Sequence, residues 1–64
     1  MSFSVGTLIK HKRQADSWGI VVSRTITARG IIYYSIYWGD IKELVKTVSE
    51  TTMINFCEAI YEAV

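Results

Sequence analysis

The sequence predicts a mainly β protein that folds as a single small domain. The first observation is residues 31–38, where isoleucine, tyrosine and tryptophan fill all but one position and Gly39-Asp40 then supplies turn residues. The second is a set of shorter β-branched runs earlier in the chain. The third is that 64 residues contain no proline, no repeat and no Gly/Ser linker, so residues 1–64 form one unit.

The strand at residues 31–38 has two different faces when it is followed at a period of two. One face is the expected core and carries Ile32, Tyr34, Ile36 and Trp38. The other face carries two tyrosines that can keep their hydroxyl groups in water, so we expect a partly exposed aromatic surface there.

Two further strands are predicted before this one. Residues 5–10 form the first, residues 12–17 a polar loop, and residues 18–24 the second. Gly19 beside Trp18 indicates a bulge or the close approach of another backbone. Gly30 can adopt positive φ and close a hairpin into the strand that follows.

The pattern after Gly39-Asp40 leaves two structures open. Residues 42–48 include β-branched residues typical of a hairpin arm, yet their apolar positions also fit a helix, and Asp40 with Glu43 has the spacing of a capping box. The tail is equally divided. Its helical stripe comprises Met53, Phe56, Cys57, Ile60 and Val64, so local propensity favours a helix.

Charge and composition limit the classes of protein. Half of the residues are apolar, which argues against disorder, while one cysteine and one histidine exclude a disulfide framework or a zinc site. A chain this small needs further stabilisation, so we expect association with itself or with a larger partner.

The absence of a signal peptide or apolar span predicts a cytoplasmic protein. Five basic residues and one acidic residue fall in 1–39, two basic and five acidic residues in 40–64.

Three stretches taken in order resemble small SH3-like barrels: residues 5–11, residues 18–22 and residues 34–40. More narrowly, the pattern is similar to uncharacterised SH3-like proteins of tailed bacteriophages, including cyanophages, and Gly19-Ile20-Val21 matches the Gly-x-Val element of KOW modules. The resemblance implies a barrel of about five strands, with a short turn at 48–53 and a closing strand at 55–61. The alternative is a three-stranded antiparallel sheet with a C-terminal helix. A phage protein of this kind would reside in the cytoplasm of the bacterial host.

No catalytic constellation is apparent, so we expect a non-enzymatic protein without cofactor or metal. His11 and Cys57 occur once each, and no phosphate-binding loop is present. The leading hypothesis is an interaction or structural module that contacts a protein partner, or itself as a homo-oligomer, through an aromatic surface. The candidate residues for this surface are Trp18, Tyr33, Tyr37 and Trp38.

The second hypothesis is a nucleic-acid-binding module. Basic side chains would contact phosphates and exposed aromatic rings would stack on bases. A net charge of only +1 argues against it. The candidate residues are Lys10, His11, Lys12, Arg13, Arg24 and Arg29.

Overall fold

A computed structural model describes residues 3–62. It contains five β-strands and one short α-helix: β1 (Leu8–His11), β2 (Trp18–Ile26), β3 (Ile32–Trp38), β4 (Glu43–Ser49), α1 (Glu50–Phe56) and β5 (Cys57–Tyr61). All five strands join one antiparallel sheet in the order β4-β3-β2-β1-β5. The predicted mainly β fold of about five strands is therefore confirmed, with the last strand beside the first and a short helix before it.

The β2–β3 hairpin forms as the sequence predicts. Gly30 has a φ of 80° and donates its N–H to the Thr27 carbonyl at 2.9 Å, while the Thr27 N–H bonds to the Ile31 carbonyl at 2.9 Å. Only glycine adopts this backbone region without steric cost, so Gly30 sets the position of the turn.

Residues 43–49 are a strand, so the helical alternative for this segment is wrong. Tyr37 pairs with Leu44, and Ile36 pairs with Val45. The apolar residues of this segment hydrogen-bond with β3 and do not form the hydrogen bonds of a helix. This pairing is favoured because the N–H and C=O groups along this edge of β3 would otherwise have no partner.

The tail contains a helix and a strand, one after the other. Ser49 is the N-cap of α1, its hydroxyl accepting the Thr52 N–H at 3.3 Å, and the helix ends at Phe56. Residues 57–61 then pair with β1, in the register His11↔Cys57 and Lys10↔Glu58. The three-stranded sheet with a C-terminal helix is thus wrong, and the closing strand exists, although the sheet stays open because β4 and β5 are its two edges.

Three strands carry one residue more than their neighbours. The register shifts leave Val22 as the extra residue of β2, Ile60 as that of β5, and one of residues 46–47 as that of β4. Thr47 has a φ of 62° in this bulge. Such bulges increase local twist, so they coil the sheet around a small core.

The core lies inside this coiled sheet and is closed by α1. The expected core face of β3 is confirmed, since Tyr34 and Ile36 are fully buried and Ile32 and Trp38 pack against them. Met53 is the buried residue of α1. The buried apolar residues are Phe3, Ile9, Val21, Tyr34, Ile36, Met53 and Cys57.

Gly19 lies against β3, as the close-approach alternative for this glycine predicts. A methyl group at Gly19 would lie 2.9 Å from the Tyr37 carbonyl oxygen and 2.9 Å from Ile36 Cγ2. Glycine is therefore required here so that β2 can lie flat against the aromatic strand.

Candidate functional site

The outer face of β2, β3 and β4 carries a contiguous apolar patch. Ile20 pairs with Tyr37, and Tyr37 pairs with Leu44, so these three side chains stand in one cross-strand row. Their chain neighbours Val21 and Ile36 are buried, which places the row on the side of the sheet away from the core. Tyr37 is 38% exposed and Leu44 48%.

Trp18 completes this surface, two residues before Ile20 on β2. It is 46% exposed, and its carbonyl accepts the Gly39 N–H at 2.9 Å. The indole lies directly over Gly39, where any side chain would overlap the ring. The glycine thus fixes the orientation of the tryptophan. We use the term outer patch for Trp18, Ile20, Tyr37 and Leu44.

The other two predicted aromatic residues lie elsewhere. Tyr33 is half-buried and stands between Thr25 on β2 and Ser49 on β4, toward the opposite end of the strand. Trp38 is half-buried and packs against the core. Of the four candidates, the structure brings Trp18 and Tyr37 together on the exposed face.

Sequence reasoning missed Ile20 and Leu44 as members of this surface. Ile20 begins the run Ile20-Val21-Val22, which is typical of a strand buried on both faces, whereas the structure half-buries Ile20 and leaves Val22 42% exposed. Leu44 belonged to the segment with an undecided secondary structure. If residues 43–45 are taken as a strand, consecutive side chains point to different faces of the sheet, so Leu44 lies on the outer face and Val45 on the core face.

The predicted basic residues at 10–13 are engaged by neighbouring groups of the same chain. Lys10 Nζ lies 3.1 Å from a Glu58 carboxylate oxygen, and Lys12 Nζ donates to the Ile54 carbonyl at 2.7 Å. Folding of β5 beside β1 therefore places an acidic residue of the C-terminal half next to the basic N-terminal half.

The other two members of this basic segment, His11 and Arg13, lie beside the aromatic ring of Phe56. The Arg13 guanidinium lies 5.9 Å from the centre of the Phe56 ring, and the His11 ring is 6.0 Å from it. His11 Nδ1 also accepts the Arg13 N–H at 3.1 Å. Phe56 appeared in the sequence only as part of a helical stripe, so its cationic neighbours were not predicted.

Arg24 and Arg29 lie in the far half of the β2–β3 hairpin. Lys10 stands opposite Trp18, and Arg24 is six residues farther along β2, which corresponds to about 20 Å of extended strand. The six predicted basic residues therefore form two separate groups.

Cys57 stands opposite His11 in the β1–β5 register and is buried. Desolvation by burial raises the pKa of the thiol above its ordinary value of 9.0, and the Lys12 charge opposes this only in part. An activated cysteine requires the opposite shift, so the environment of Cys57 favours the inert thiol.

Within residues 3–62, no group of three or more histidine, cysteine, aspartate or glutamate side chains is arranged to hold a metal ion. No helix of this part of the chain has the length and apolar character needed to cross a bilayer. Comparison with known protein families, with curated proteins and with solved structures found no match to this chain. The fold defines a small, mainly β protein that exposes the outer patch on one face of its sheet.

Proposed function

We propose that this chain is a non-enzymatic SH3-like structural module that acts by protein–protein contact, with a second copy of itself bound through the outer patch. The observation that carries the proposal is the cross-strand row of Ile20, Tyr37 and Leu44, which extends into the exposed ring of Trp18. Aromatic residues dominate the centres of protein interfaces because they bury a large area at low entropic cost.

The edges of the sheet favour contact through this face. Both edge strands carry a bulge, at residues 46–47 of β4 and at Ile60 of β5. Bulges disturb the regular row of N–H and C=O groups, so they protect an edge against pairing with another strand. Association is therefore expected through side chains of the outer face.

The size of the outer patch fits a weak symmetric dimer. If a fully exposed aromatic side chain offers roughly 200 Å², the exposed parts of Trp18 and Tyr37 contribute about 170 Å² together, and Leu44 with Ile20 adds roughly 100 Å². Two copies would then bury about 500–600 Å² from these side chains alone. Weak, transient complexes bury less than about 1,200 Å², so an interface centred on these side chains belongs to that class.

The alternative function, nucleic-acid binding, draws less support. Lys10, Lys12 and Arg13 already contact groups of their own chain, while Arg24 lies about 20 Å away along β2 and Arg29 is in the turn beyond it. A phosphate backbone would have to displace the Glu58 carboxylate from Lys10 before it gained that contact.

Because the sequence resembles SH3-like proteins of tailed bacteriophages, the proposal includes a phage origin for this chain. A phage-encoded module of this kind would be made in the cytoplasm of the bacterial host and would assemble there, without cofactor or metal.

Size-exclusion chromatography with light scattering over a concentration series tests the proposal. The unmodified chain should shift from monomer to dimer as its concentration rises into the submillimolar range. The double variant Tyr37→Ser with Leu44→Ser should remain monomeric, because it removes the centre of the patch.

Ile26→Ser is the matched control, since Ile26 is 56% exposed at the far end of β2 and pairs with Ile32, so it lies on the other face of the sheet from the outer patch. It should dimerise as the unmodified chain does. The proposal is contradicted if the unmodified chain stays monomeric at every concentration. It is also contradicted if Ile26→Ser loses the dimer while the double variant keeps it. The nucleic-acid-binding alternative is tested by fluorescence anisotropy with labelled single- and double-stranded DNA and RNA at low salt. Saturable binding would favour this alternative if the double variant Lys12→Ala with Arg13→Ala bound more weakly.

A further inference from the structure

A groove of about 340 Å³ lies between the start of β3 and α1. Its apolar lining comes from Ile31 and Ile32 on one side and from Ile54 of the helix on the other. Ile31 is 44% exposed and Ile54 39%, so both alkyl side chains face solvent across the opening. The volume is at the lower limit for a small-molecule site, so the groove has room for one long side chain.

Glu50 is the sole charged residue of this groove. The side chain is half-buried, and the hydroxyl of Tyr34 donates to its Oε2 at 3.4 Å. Among residues 3–62, the one ion pair is that between Lys10 and Glu58, so no cationic side chain of this part of the chain forms an ion pair with Glu50. A carboxylate accepts up to about four hydrogen bonds, and one long bond leaves most of this capacity unused.

The core holds this carboxylate in place. The Tyr34 hydroxyl that donates to Glu50 also accepts the backbone N–H of Phe3 at 2.9 Å, and the tyrosine itself is fully buried. Ser49 and Thr52 fix the first turn of the helix through their hydroxyl groups, which lie 2.9 Å apart. Glu50 is thus presented on a rigid support instead of a mobile loop.

We propose that this groove receives the side chain of a lysine from a partner polypeptide. The four-carbon stem of lysine would lie against the three isoleucines, and its ammonium group would reach the Glu50 carboxylate. The charge of the groove selects the cation, and its alkyl walls select a long aliphatic stem over a compact ion. The groove is at the opposite end of β3 from the outer patch, so this proposal does not depend on self-association.

A titration followed by two-dimensional ¹H–¹⁵N correlation spectra tests the proposal. The probes are the capped peptide acetyl-Gly-Lys-Gly-amide, its norleucine analogue, which keeps the stem but lacks the ammonium group, and free n-butylamine. The lysine peptide should shift the backbone amides of Gly30, Ile31, Glu50 and Ile54, bind at least fivefold more tightly than the norleucine peptide, and weaken as salt is added.

The variant Glu50→Gln should weaken the lysine peptide at least fivefold, because it removes the charge but keeps an oxygen that can accept from Tyr34. Glu43→Gln, an exposed glutamate on β4 outside the groove, is the matched control and should bind as the unmodified chain does. Equal binding of the lysine and norleucine peptides, or no effect of Glu50→Gln, would overturn the proposal. Binding of n-butylamine that is tighter than that of the lysine peptide would overturn the assignment to a polypeptide side chain.

Discussion

The contact between Trp18 and Gly39 gives the sharpest test of how the outer patch is held. A methyl group at Gly39 would overlap three atoms of the indole, Cε2, Cζ2 and Cη2. These atoms belong to a rigid ring, so the whole side chain of Trp18 must rotate away in Gly39→Ala. The backbone itself imposes no such penalty, since the two described glycines with positive φ are Gly6 and Gly30.

The expected cost of Gly39→Ala is about 1–3 kcal/mol, the usual range for overpacking. A domain of this length has a free energy of unfolding of about 3–10 kcal/mol, so the substitution removes a large fraction of it. At about 4–8 °C for each kcal/mol, the melting temperature should fall by roughly 10 °C.

A double-mutant cycle isolates the clash. Trp18→Ala alone should cost about 2 kcal/mol, roughly half of the usual cost of truncating a buried tryptophan, because the ring is half-exposed. In the Trp18→Ala background the clash no longer exists, so the added Gly39→Ala should cost less than about 0.5 kcal/mol.

Urea unfolding followed by far-ultraviolet circular dichroism measures all four proteins, since this signal comes mainly from the peptide backbone and each protein can be followed without Trp18. Gly30→Ala is the control: it has open space around the new methyl group but a φ of 80°, so its cost should be the same with and without Trp18. An equal cost of Gly39→Ala in both backgrounds would refute the reasoning.

Two further predictions concern single residues. Thr47→Gly should stabilise the protein by about 0.5–1 kcal/mol, because a β-branched residue at a φ of 62° is strained, and a thermal melt should rise by a few degrees. Thr25→Gly, in a regular part of β2, should lower the melt, and a lower melt for Thr47→Gly would show that the bulge is not strained. Because burial raises the pKa of Cys57, the folded chain holds the thiol proton more tightly than the unfolded chain, so stability should fall as pH rises past the ordinary value of 9.0. Urea titrations from pH 7 to pH 10 measure this fall, Cys57→Ala should lack it, and an equal pH dependence in both proteins would contradict the prediction.

Much of the outer patch was predictable from local pattern. The period of two assigned Tyr34 and Ile36 to the core and Tyr37 to the exposed face, because alternation along a strand is a property of the backbone itself. Trp18 was a candidate from residue type alone. Its contact with Gly39 and the addition of Leu44 depended on the register between strands, which no local pattern specifies.

The groove could not be predicted in the same way. Glu50 is one of five acidic residues in the C-terminal part of the chain, and nothing in its neighbours along the sequence distinguishes it. The contact with Tyr34, sixteen residues away, and the wall from Ile31 arise only when α1 packs against β3.

The sequence by itself determined the β character of this protein, the β2–β3 hairpin at Gly30 and the buried face of residues 32–38. These features depend on residues close together in the chain, where backbone geometry and side-chain type act directly. Tertiary structure decided the tail. The helical stripe continues past Phe56, yet the helix ends there. Residues 57–61 pair instead with the N–H and C=O groups at the free edge of β1. This row of hydrogen bonds between distant segments outweighs a local helix preference of a few tenths of a kcal/mol per residue.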